Sequence, residues 1–459
     1  MKPPVKIQLG GENLLANSGL DFIGRLLETS GLKEELAHIP GVHCVDPTFS
    51  HSDIVFAMTG LLCMGRRHYS DIEWFRQDSE SFCRTLGLSG VPSSETLRQR
   101  LDLIGDAANG AVRAASARMV GSSAPEIGAV ETSCGDFVPL DADVSPFDNS
   151  KTEKEGVSRT YKGCDGYAPM LAYLGREGYF LFPELRRGSQ HCQKSTPEFL
   201  DEALKHARRI TSAPILVRLD SGNDSKDNFA IFEKYEGVEF IVKRNPRRES
   251  PSRWLELAQN AGREIPQREG KRTWIGQTKV GLKGQNLPYP IVFKISERTT
   301  KKGQMLAFPE VEIETYWCSL ERLPPEEAIE LYRDHGTSEQ FHSEIKTDMG
   351  MERFPSVHFE TNGLILHLTA LAYNMLRIVG QLSLEHSAAV PPCLKKNRRE
   401  NVGRRRLGTV IRDLILTVGR WVKKGRQFHI SLGWNNPLKE LWERIAESLR
   451  AGSPQSASP

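Results

Sequence analysis

The stretch "FVPLDADVS", residues 137–145, alternates apolar and polar side chains with a period of two. Val138, Leu140 and Ala142 lie on one face of the predicted strand, and Asp141 and Asp143 lie on the other. Acidic side chains at a strand end are costly to bury unless they are paired or bind a metal. The stretch therefore predicts a half-buried strand whose carboxyl end carries functional acids.

The segments that follow this strand predict a compact α/β layer structure. Two apolar runs around the turn "GREG" predict a hairpin, and the later strand "APILVRLDSGND" carries Asp220 at its end. The predicted order is three strands, helix, strand, helix, strand. In sequence these are "FVPLDADVS", "APMLAYL", "YFLFPEL", "STPEFLDEALKHARRI", "APILVRLDSGND", "DSKDNFAIFEKYEG" and "VEFIVKR".

The regions on either side differ in pattern. Capped amphipathic segments predict helices up to about residue 130, and short β runs follow residue 245. In "VPSSETLRQRLDLIG", Ser93 or Ser94 caps a helix that carries Arg98 and Arg100. That helix is predicted either to enter a DNA groove, as in a helix-turn-helix, or to be a packing helix with surface arginines.

The amino-acid composition limits the classes to which the protein can belong. The 459 residues include 39% hydrophobic and 26% charged residues with a net charge of +3, which indicates a globular protein of two to four domains. The eight cysteines contain no CxxC pair, so neither a zinc ribbon nor a disulfide framework is indicated. No secretion signal is seen, and polar residues interrupt the apolar run "GLILHLTALAYNMLRIVG". We expect a cytoplasmic protein with no membrane partner, and we interpret this run as a buried helix.

Basic residues concentrate late in the chain, where only Glu400 and Asp413 oppose them. Apolar residues in "LGTVIRDLILTVGRWV" favour a helix with a basic face that contacts phosphates, and a solvated tail is the alternative. The basic residues are Lys395, Lys396, Arg398, Arg399, Arg404, Arg405, Arg406, Arg412, Arg420, Lys423, Lys424 and Arg426.

A second unusual pattern is a polar stripe on a helix predicted at 325–347. With 3.6 residues per turn, one face carries a phenol, two imidazoles, a carboxylate and an ammonium. The stripe consists of Tyr332, His335, Glu339, His342 and Lys346, and the opposite face carries Phe341, Ile345 and Met349. Taken alone, the stripe is also typical of a solvated helix with ion pairs such as Glu339 with Lys346.

Asp143, Asp220 and Glu339 form the candidate catalytic set. The two aspartates end strands, where α/β sheets build sites. Converging carboxylates repel one another unless a divalent cation lies among them, and Mg²⁺ prefers an all-oxygen shell. Two such ions about 4 Å apart activate a nucleophile and stabilise a leaving oxygen in phosphodiester chemistry.

The motifs "LDADVS", "VRLDSGND" and "HGTSEQFHSEIK" together resemble the catalytic pattern of DDE transposases from bacterial insertion sequences. More narrowly they resemble the branch with the motif Y-x2-R-x3-E-x6-K, and within it the insertion-sequence 1380 group. "GYAPML", "LRRGSQHCQKSTPEFL", "ERFPS" and "NGLILHLTALAYNMLR" extend the resemblance over most of the chain. It implies an α/β fold with a ribonuclease H-like catalytic core that a β-rich insertion interrupts.

The resemblance assigns roles to individual residues. Asp143 matches the first metal ligand, with Asp141 in reserve; Asp220 matches the second and Glu339 the third, with Glu344 a weaker choice. Tyr332 and Lys346 match the motif tyrosine and lysine, which implies DNA contacts. His335 is also predicted to contact DNA, but it stands where the motif has arginine, so a bidentate phosphate contact could pass to Arg333.

We accordingly predict six regions, with helical amino-terminal and basic helical carboxyl-terminal parts around the core. They are 1–130, helical and DNA-end-binding; 131–244, first part of the core; 245–324, β-rich insertion; 325–385, second part of the core; 386–451, basic helical region; and 452–459, disordered tail.

The implied activity is that of a Mg²⁺-dependent transposase, with Mn²⁺ able to substitute. It binds the terminal inverted repeats of double-stranded DNA, cleaves at the element ends and joins the 3′ hydroxyls to target DNA. The implied enzyme is a homodimer in its synaptic complex, needs no nucleotide cofactor and is nucleoid-associated in the bacterial cytoplasm. The alternatives are an inactive DNA-binding regulator derived from a transposase and a structure-specific metal nuclease.

Overall fold

The chain divides into two compact units. The computed structural model describes residues 10, 14–39, 48–279, 289–301, 304–395, 402–425 and 427–451. Unit 1 contains Met1–Pro125 and Thr347–Pro459, and unit 2 contains Glu126–Lys346. The predicted tail at 452–459 lies outside the described residues, as do Lys396, Arg398, Arg399 and Arg426.

The amino-terminal part of unit 1 is helical, as its caps and apolar spacing predict. Ser93 Oγ accepts a hydrogen bond from the backbone N–H of Thr96 at 3.1 Å, so Ser93 is the cap that the sequence left open. The elements are β1 (Leu14–Leu15), α1 (Leu20–Thr29), α2 (Leu32–Ala37), α3 (His51–Cys63), α4 (Glu73–Arg76), α5 (Ser79–Leu86), α6 (Ser94–Ile104) and α7 (Asn109–Ser123), with 3-10 turns at Tyr69–Ile72 and Gly105–Ala108.

Unit 2 contains a large sheet with helices. Its strands are β2 (Val130–Thr132), β3 (Gly135–Val144), β4 (Phe147–Asp148), β5 (Ser158–Arg159), β6 (Asp165–Tyr167), β7 (Met170–Leu174), β8 (Tyr179–Glu184), β9 (Ile215–Leu219), β10 (Val238–Arg244), β11 (Arg263–Ile265), β12 (Lys271–Thr278), β13 (Ile291–Lys301) and β14 (Gln304–Cys318). Its helices are α8 (Thr196–Ile210), α9 (Lys226–Phe232), α10 (Pro251–Ala261), α11 (Pro325–Asp334) and α12 (Ser338–Ser343), with a 3-10 turn at Ser221–Asn223.

The first five long strands of unit 2 lie in the sheet order β8-β7-β3-β9-β10. β3, β9 and β10 are parallel, whereas β7 and β8 are antiparallel to their neighbours. The chain order of three strands, helix, strand, helix, strand is the one predicted from the sequence. β9 is buried at every position, because strands flank both of its edges and apolar cores cover both faces of the sheet.

Apolar cores cover both faces of this sheet. Val138, Leu140 and Ala142 of β3 pack in a core with side chains of α8, α9 and α10. Phe137 and Leu216 point to the opposite face, where they pack with Ile329 and Leu331 of α11. Asp141 and Asp143 alternate with the first set, so they lie on the α11 face.

The stretch predicted as a β-rich insertion, 245–324, extends the central sheet. After α10, strands β11 to β14 form an antiparallel run, and β14 pairs with β10.

The sequence predicts one continuous helix over 325–347, but the structure breaks this stretch into several elements. α11 ends at Asp334, a 3-10 turn spans His335–Thr337, and α12 passes into a π-helix at Glu344–Asp348. Gly336 has a low helix propensity and lies at this break.

The carboxyl-terminal part of unit 1 is only partly helical, which corrects the prediction for 386–451. "LGTVIRDLILTVGRWV" forms a short helix and a π-helix and then a strand, because Gly419 ends the helical run and Trp421 and Val422 favour strand. This strand is β15 (Gly419–Lys424), and it lies between β1 and β16 (Gln427–Leu432) in a three-stranded sheet. The elements are α13 (Phe359–Glu385), α14 (Pro392–Lys395), α15 (Leu407–Val410), β15 (Gly419–Lys424), β16 (Gln427–Leu432) and α16 (Lys439–Ala451), with a 3-10 turn at Ser387–Ala389 and a π-helix at Ile411–Ile415.

Helix α13 contains the apolar run that the sequence predicts to be a buried helix. By length and composition it passes the test for a membrane span, but 94% of its most apolar window is buried inside the protein. Two of its polar residues form hydrogen bonds within the protein: Asn374 Nδ2 donates to Ser116 Oγ at 3.0 Å, and Arg377 Nη2 donates to Tyr373 Oη at 2.7 Å. α13 is therefore a core helix of unit 1.

Candidate active site

The parallel pairing of β3 with β9 places Asp143 beside Asp220. Ala142 pairs with Leu219 at the end of the ladder, so Asp143 and Asp220 follow at the same level. Adjacent strands lie about 4.8 Å apart. Both side chains thus emerge at the carboxyl ends of parallel strands, where α/β sheets place their sites.

The Asp143 carboxyl is electrostatically unfavourable as a free anion. Its Oδ1 accepts a hydrogen bond from the backbone N–H of Val144 at 2.7 Å. Burial and the charge of Asp220 nevertheless raise the pKa of Asp143 to about 6, against the opposing effects of His335 and Lys162. A cation between the two carboxylates would remove both penalties.

Side chains around a tight turn hold Asp220. Its Oδ1 accepts a hydrogen bond from Asn223 Nδ2 at 2.6 Å, and Asn228 Nδ2 donates to the carbonyl of Asn223 at 2.8 Å. The Gly222 carbonyl accepts from Cys192 Sγ at 3.0 Å and from Gln193 Nε2 at 2.6 Å. Sequence reasoning gave no role to Cys192, Gln193 and Asn228, although the first two lie in the motif "LRRGSQHCQKSTPEFL", because their contacts with the Asp220 turn form only in the folded chain.

Glu339 lies on α12, and its side chain is exposed. The helix is anchored by Phe341, whose ring centroid lies 5.0 Å from that of Tyr173. Burial and the charges of Asp143, Asp220, Cys192 and Glu339 raise the pKa of Tyr161 to about 12. In the described part of the chain, however, no three His, Cys, Asp or Glu side chains stand close enough to hold a metal ion.

A buried ion-pair cluster lies directly below this pair of acids. Arg218 Nε and Nη2 donate to the two carboxylate oxygens of Asp141, each at 2.7 Å, and Nη1 donates to the carbonyl of Leu331 at 2.7 Å. His335 Nδ1 lies 3.0 Å from Asp141 Oδ1. Burial alone would raise the pKa of Asp141, but Arg218 and His335 hold it below its usual value.

Asp141 is the reserve candidate of the sequence prediction for the first metal ligand, and the structure corrects this assignment. Both of its carboxylate oxygens are already bonded within the core. The cluster also joins β3, β9 and the end of α11. Sequence reasoning missed Arg218, although the alternation in "VRLD" places it on the same strand face as Asp220. Glu344, the weaker candidate for the third acid, is 3% exposed and is enclosed by the protein.

Comparison with known proteins identifies the family. Residues 1–453 match the family described as transposase DDE domain group 1. The chain belongs to this DDE transposase family. No curated protein matches the chain in sequence.

The transposase also has a structural likeness to a chain in a solved structure titled "Cryo-EM structure of piggyBac transposase synaptic complex with hairpin DNA (SNHP)". The TM-score is 0.39 at 10% sequence identity, and the match covers 96% of this chain and 85% of that chain.

DDE transposases generally use divalent metal ions. The three acids of this transposase offer only oxygen donors, which suit hard divalent cations. The raised pKa of Asp143 fits the same purpose, because burial and the charge of Asp220 outweigh the positive charges of His335 and Lys162 that act on this carboxyl. The donor set does not distinguish Mg²⁺ from Mn²⁺.

The predicted polar stripe of the transposase does not face solvent as one surface. His335 and His342 are each 6% exposed, because α11 and α12 turn their imidazoles towards the sheet. The prediction that His335 contacts DNA is therefore wrong for this structure, since the imidazole is buried against Asp141. Burial lowers the pKa of His342 to about 3, helped by the positive charge of Lys346, so His342 is neutral.

The other predicted DNA contacts of the stripe differ in exposure. Tyr332 is half-buried, with its ring centroid 4.8 Å from that of Tyr316. Arg333 is exposed, with Nη2 3.9 Å from a Glu314 oxygen. Lys346 Nζ donates to the carbonyl of Pro146 at 2.7 Å, so in this structure it fixes the segment after β3.

Some arginines of unit 1 that the sequence predicts to contact DNA interact with side chains of the protein itself. Arg98 pairs with Glu95 at 2.5 Å and with Asp102 at 3.1 Å, and Arg100 Nη2 lies 3.4 Å from His51 Nδ1. Arg404 is half-buried.

The next two arginines of the tract differ from each other. Arg405 is 6% exposed, which corrects its assignment to a DNA-binding surface. Arg406 is exposed and forms an ion pair with Asp348 at 2.8 Å.

Proposed function

We propose that this DDE transposase binds the terminal inverted repeats of its own element, cleaves at the element ends and transfers the 3′ hydroxyls to target DNA. The observation that carries the proposal is the in-register placement of Asp143 beside Asp220 at the ends of parallel strands, with Glu339 exposed on α12. The sheet order β8-β7-β3-β9-β10 supports a ribonuclease H-like core. Membership of the YREK-bearing branch and the insertion-sequence 1380 group is part of the proposal, as is a bacterial, nucleoid-associated location.

Asp143, Asp220 and Glu339 are the proposed ligands of Mg²⁺, for which Mn²⁺ substitutes. When bound, such ions activate the attacking oxygen and stabilise the leaving oxygen of a phosphodiester. The protein's own contribution is to hold three carboxylates on separate elements. Asp143 must also be deprotonated to bind a metal ion. Because its pKa is about 6, most of the carboxyl is deprotonated only above that pH.

The remaining residues of the site position these acids. Arg218 and Asp141 lock β3 to β9 below the Asp143–Asp220 pair, and the bond from Arg218 to the Leu331 carbonyl ties in the helix that leads to Glu339. Arg333 is the proposed phosphate contact of the third motif, since its guanidinium is exposed. Two copies of the chain are proposed to hold the two element ends in a dimer.

The test is nicking and joining of duplex DNA that carries the inverted repeats flanking the gene. Wild type is expected to cut and join these ends only with Mg²⁺ or Mn²⁺, and Asp143→Ala, Asp220→Ala and Glu339→Ala are expected to abolish both steps. Asp136→Ala is the matched control, because Asp136 is an exposed aspartate on the same strand as Asp143. Wild-type joining by any of the three variants would remove that residue from the site.

A second candidate function is a DNA-binding regulator without catalytic activity. It is favoured by the absence, within the described residues, of three acidic or other metal-ligating side chains close enough to hold an ion. If the protein is such a regulator, wild type and Asp220→Ala bind the repeats with equal affinity. Neither protein then nicks the repeats in Mg²⁺.

A further inference from the structure

An aromatic residue stands at the tip of a small hairpin beside the candidate acids. β5 and β6 pair with each other, and the residues between them form a tight turn. Thr160 Oγ1 donates to the carbonyl of Cys164 at 2.9 Å, and the Gly163 N–H donates to the carbonyl of Thr160 at 3.0 Å. Gly163 has φ +81°, which an L residue adopts only with strain. The tip that carries Tyr161 is therefore fixed.

Tyr161 is fixed at its hydroxyl end while its ring stays accessible. The hydroxyl donates to the carbonyl of Val144 at 3.2 Å, and Val144 is the residue directly after Asp143. The side chain is nevertheless 70% exposed. An aromatic ring held at one end with much of its surface in solvent is available for stacking.

The hydrogen bond to the Val144 carbonyl places Tyr161 beside the residue that follows Asp143 on β3. Beyond burial, the charges of Asp143, Asp220 and Glu339 all act on its phenol. The adjacent Lys162 is exposed, and its charge acts on Asp143. The hairpin tip thus presents an aromatic ring and an ammonium next to the carboxylates.

A DNA strand that brings a phosphodiester to Asp143 would pass beside this tip, because Tyr161 bonds to the residue that follows Asp143. Every base has an apolar face, so an aromatic side chain binds it with little dependence on sequence. An ammonium beside the ring suits the neighbouring phosphate. We propose that Tyr161 is a stacking platform for a base next to the scissile phosphate and that Lys162 contacts the adjoining phosphate. This inference rests on the proposed function.

The experiment measures binding of inverted-repeat duplexes in EDTA by fluorescence anisotropy, so that no cleavage occurs. Each nucleotide near the scissile phosphate is replaced in turn by an abasic site. We expect Tyr161→Leu to weaken binding of intact DNA about 10-fold. On the duplex that lacks the stacked base, wild type and Tyr161→Leu should bind with equal affinity. On duplexes with an abasic site elsewhere, the 10-fold difference between the two proteins should remain.

Ring-retaining variants separate stacking from a structural role of the hydroxyl. Tyr161→Phe and Tyr161→Trp are expected to bind within about twofold of wild type, because both keep an aromatic face. Lys162→Gln should weaken all duplexes to a similar degree and reduce the dependence of binding on salt.

The failures of the two proposals are distinguishable. If wild type neither binds nor nicks the repeats, the proposed function fails. If wild type nicks and joins but Tyr161→Leu binds as wild type does, or loses affinity equally on every abasic duplex, only the stacking platform is overturned.

Discussion

Asp141 and Asp143 are two residues apart on one strand and carry the same carboxyl group, but their neighbours give them opposite protonation behaviour. Arg218 and His335 hold the pKa of Asp141 below its usual value. Asp143 has no such counter-charge at hydrogen-bonding distance among the described residues, and burial with Asp220 raises its pKa to about 6. The first acid is therefore part of the scaffold, and the second is available to a cation.

Without divalent metal, Asp143 is expected to lower the stability of the folded protein as pH rises from 3.8 through about 6. The folded state binds the proton more tightly than the unfolded state, so the penalty is absent at low pH and complete above the folded pKa. Asp143→Asn should raise the free energy of unfolding by up to about 3 kcal/mol near neutral pH and above.

Urea denaturation in EDTA at several pH values checks this expectation. Asp136→Asn, an exposed change on the same strand, is the control. Added Mg²⁺ should stabilise wild type more than Asp143→Asn, because only the wild type keeps all three acids. A difference between the two proteins that stays constant with pH contradicts the electrostatic account of Asp143.

Removal of the Arg218 side chain is expected to be strongly destabilising. Its side chain is 4% exposed and its partner Asp141 is 5% exposed. Arg218→Ala removes both guanidinium bonds to the buried Asp141 carboxylate and leaves it with His335 alone, which should cost about 3–5 kcal/mol in the free energy of unfolding. Arg218→Lys should recover only part of this loss, since an ammonium cannot make the two-pronged contact.

Chemical denaturation measures both variants. Arg272→Ala breaks an exposed pair with Glu264 in the same sheet and should leave the midpoint nearly unchanged. Equal midpoints for Arg218→Ala and Arg272→Ala are the result that contradicts a structural role for the buried cluster.

At the scale of elements, the hairpin turn between β7 and β8 supports the helix that carries Glu339. Gly178 ends this turn with φ +70°, and a Cβ atom there would lie 2.1 Å from the Phe341 ring. Phe341 is 2% exposed and also packs on Tyr173. The position of α12 therefore depends on a residue that has no side chain.

Gly178→Ala is expected to destabilise the protein more than Gly175→Ala does. Both positions have positive φ, so both substitutions strain the backbone. At 178 the methyl group would lie 2.1 Å from a buried ring, whereas at 175 the nearest atom is a Glu177 carboxylate oxygen at 2.9 Å, which is a much smaller overlap. The expected difference is about 1–3 kcal/mol in the free energy of unfolding.

Thermal unfolding of the two variants measures this difference, and the rate of DNA nicking reports whether Glu339 has moved. Gly178→Ala should also lower the nicking rate in the part of the protein that remains folded. Equal stability of the two variants contradicts close packing of Phe341 on the turn.

At the scale of the whole molecule, the chain leaves unit 1, forms all of unit 2 and returns to complete unit 1. Both apolar cores of unit 2 consist of residues within 126–346. Unit 1 needs both halves of its sequence: α1 and α16 are joined by Phe22 and Trp442, whose ring centroids lie 4.3 Å apart. Helix α13 supplies a long run of buried side chains to the same unit.

Truncation after Lys346 is expected to unfold the amino-terminal helices but leave unit 2 folded. Loss of α13 exposes the apolar side chains of α3, which is buried along almost its whole length. Limited proteolysis followed by mass spectrometry should show early cleavage before residue 126 and protection of 126–346. Truncation after Ala451 is the control, and equal protection of the amino-terminal helices in both proteins contradicts a shared core.

Much of the sheet was predictable from the sequence, because strand periodicity is local. The alternation in "FVPLDADVS" placed Val138 in the core and Asp143 on the opposite face, and "VRLDSGND" placed Asp220 at a strand end. The break after Asp334 and the strand at Gly419–Lys424 were not predicted. Gly336 and Gly419 are weak local signals for these two features, and contacts with partners distant in the chain complete them, namely Asp141 for His335 and β16 and β1 for β15.

The sequence by itself determined the strands, the main helices, the family resemblance and the three candidate acids, since each depends on spacing within a short window. Only the tertiary structure decided which acid is neutralised and which is left without a counter-charge, and that His335 and Arg405 are buried. The physical reason is that the charge state and exposure of a side chain depend on neighbours in space. Arg218 and Asp141 are 77 residues apart in the chain and become neighbours only when β3 pairs with β9.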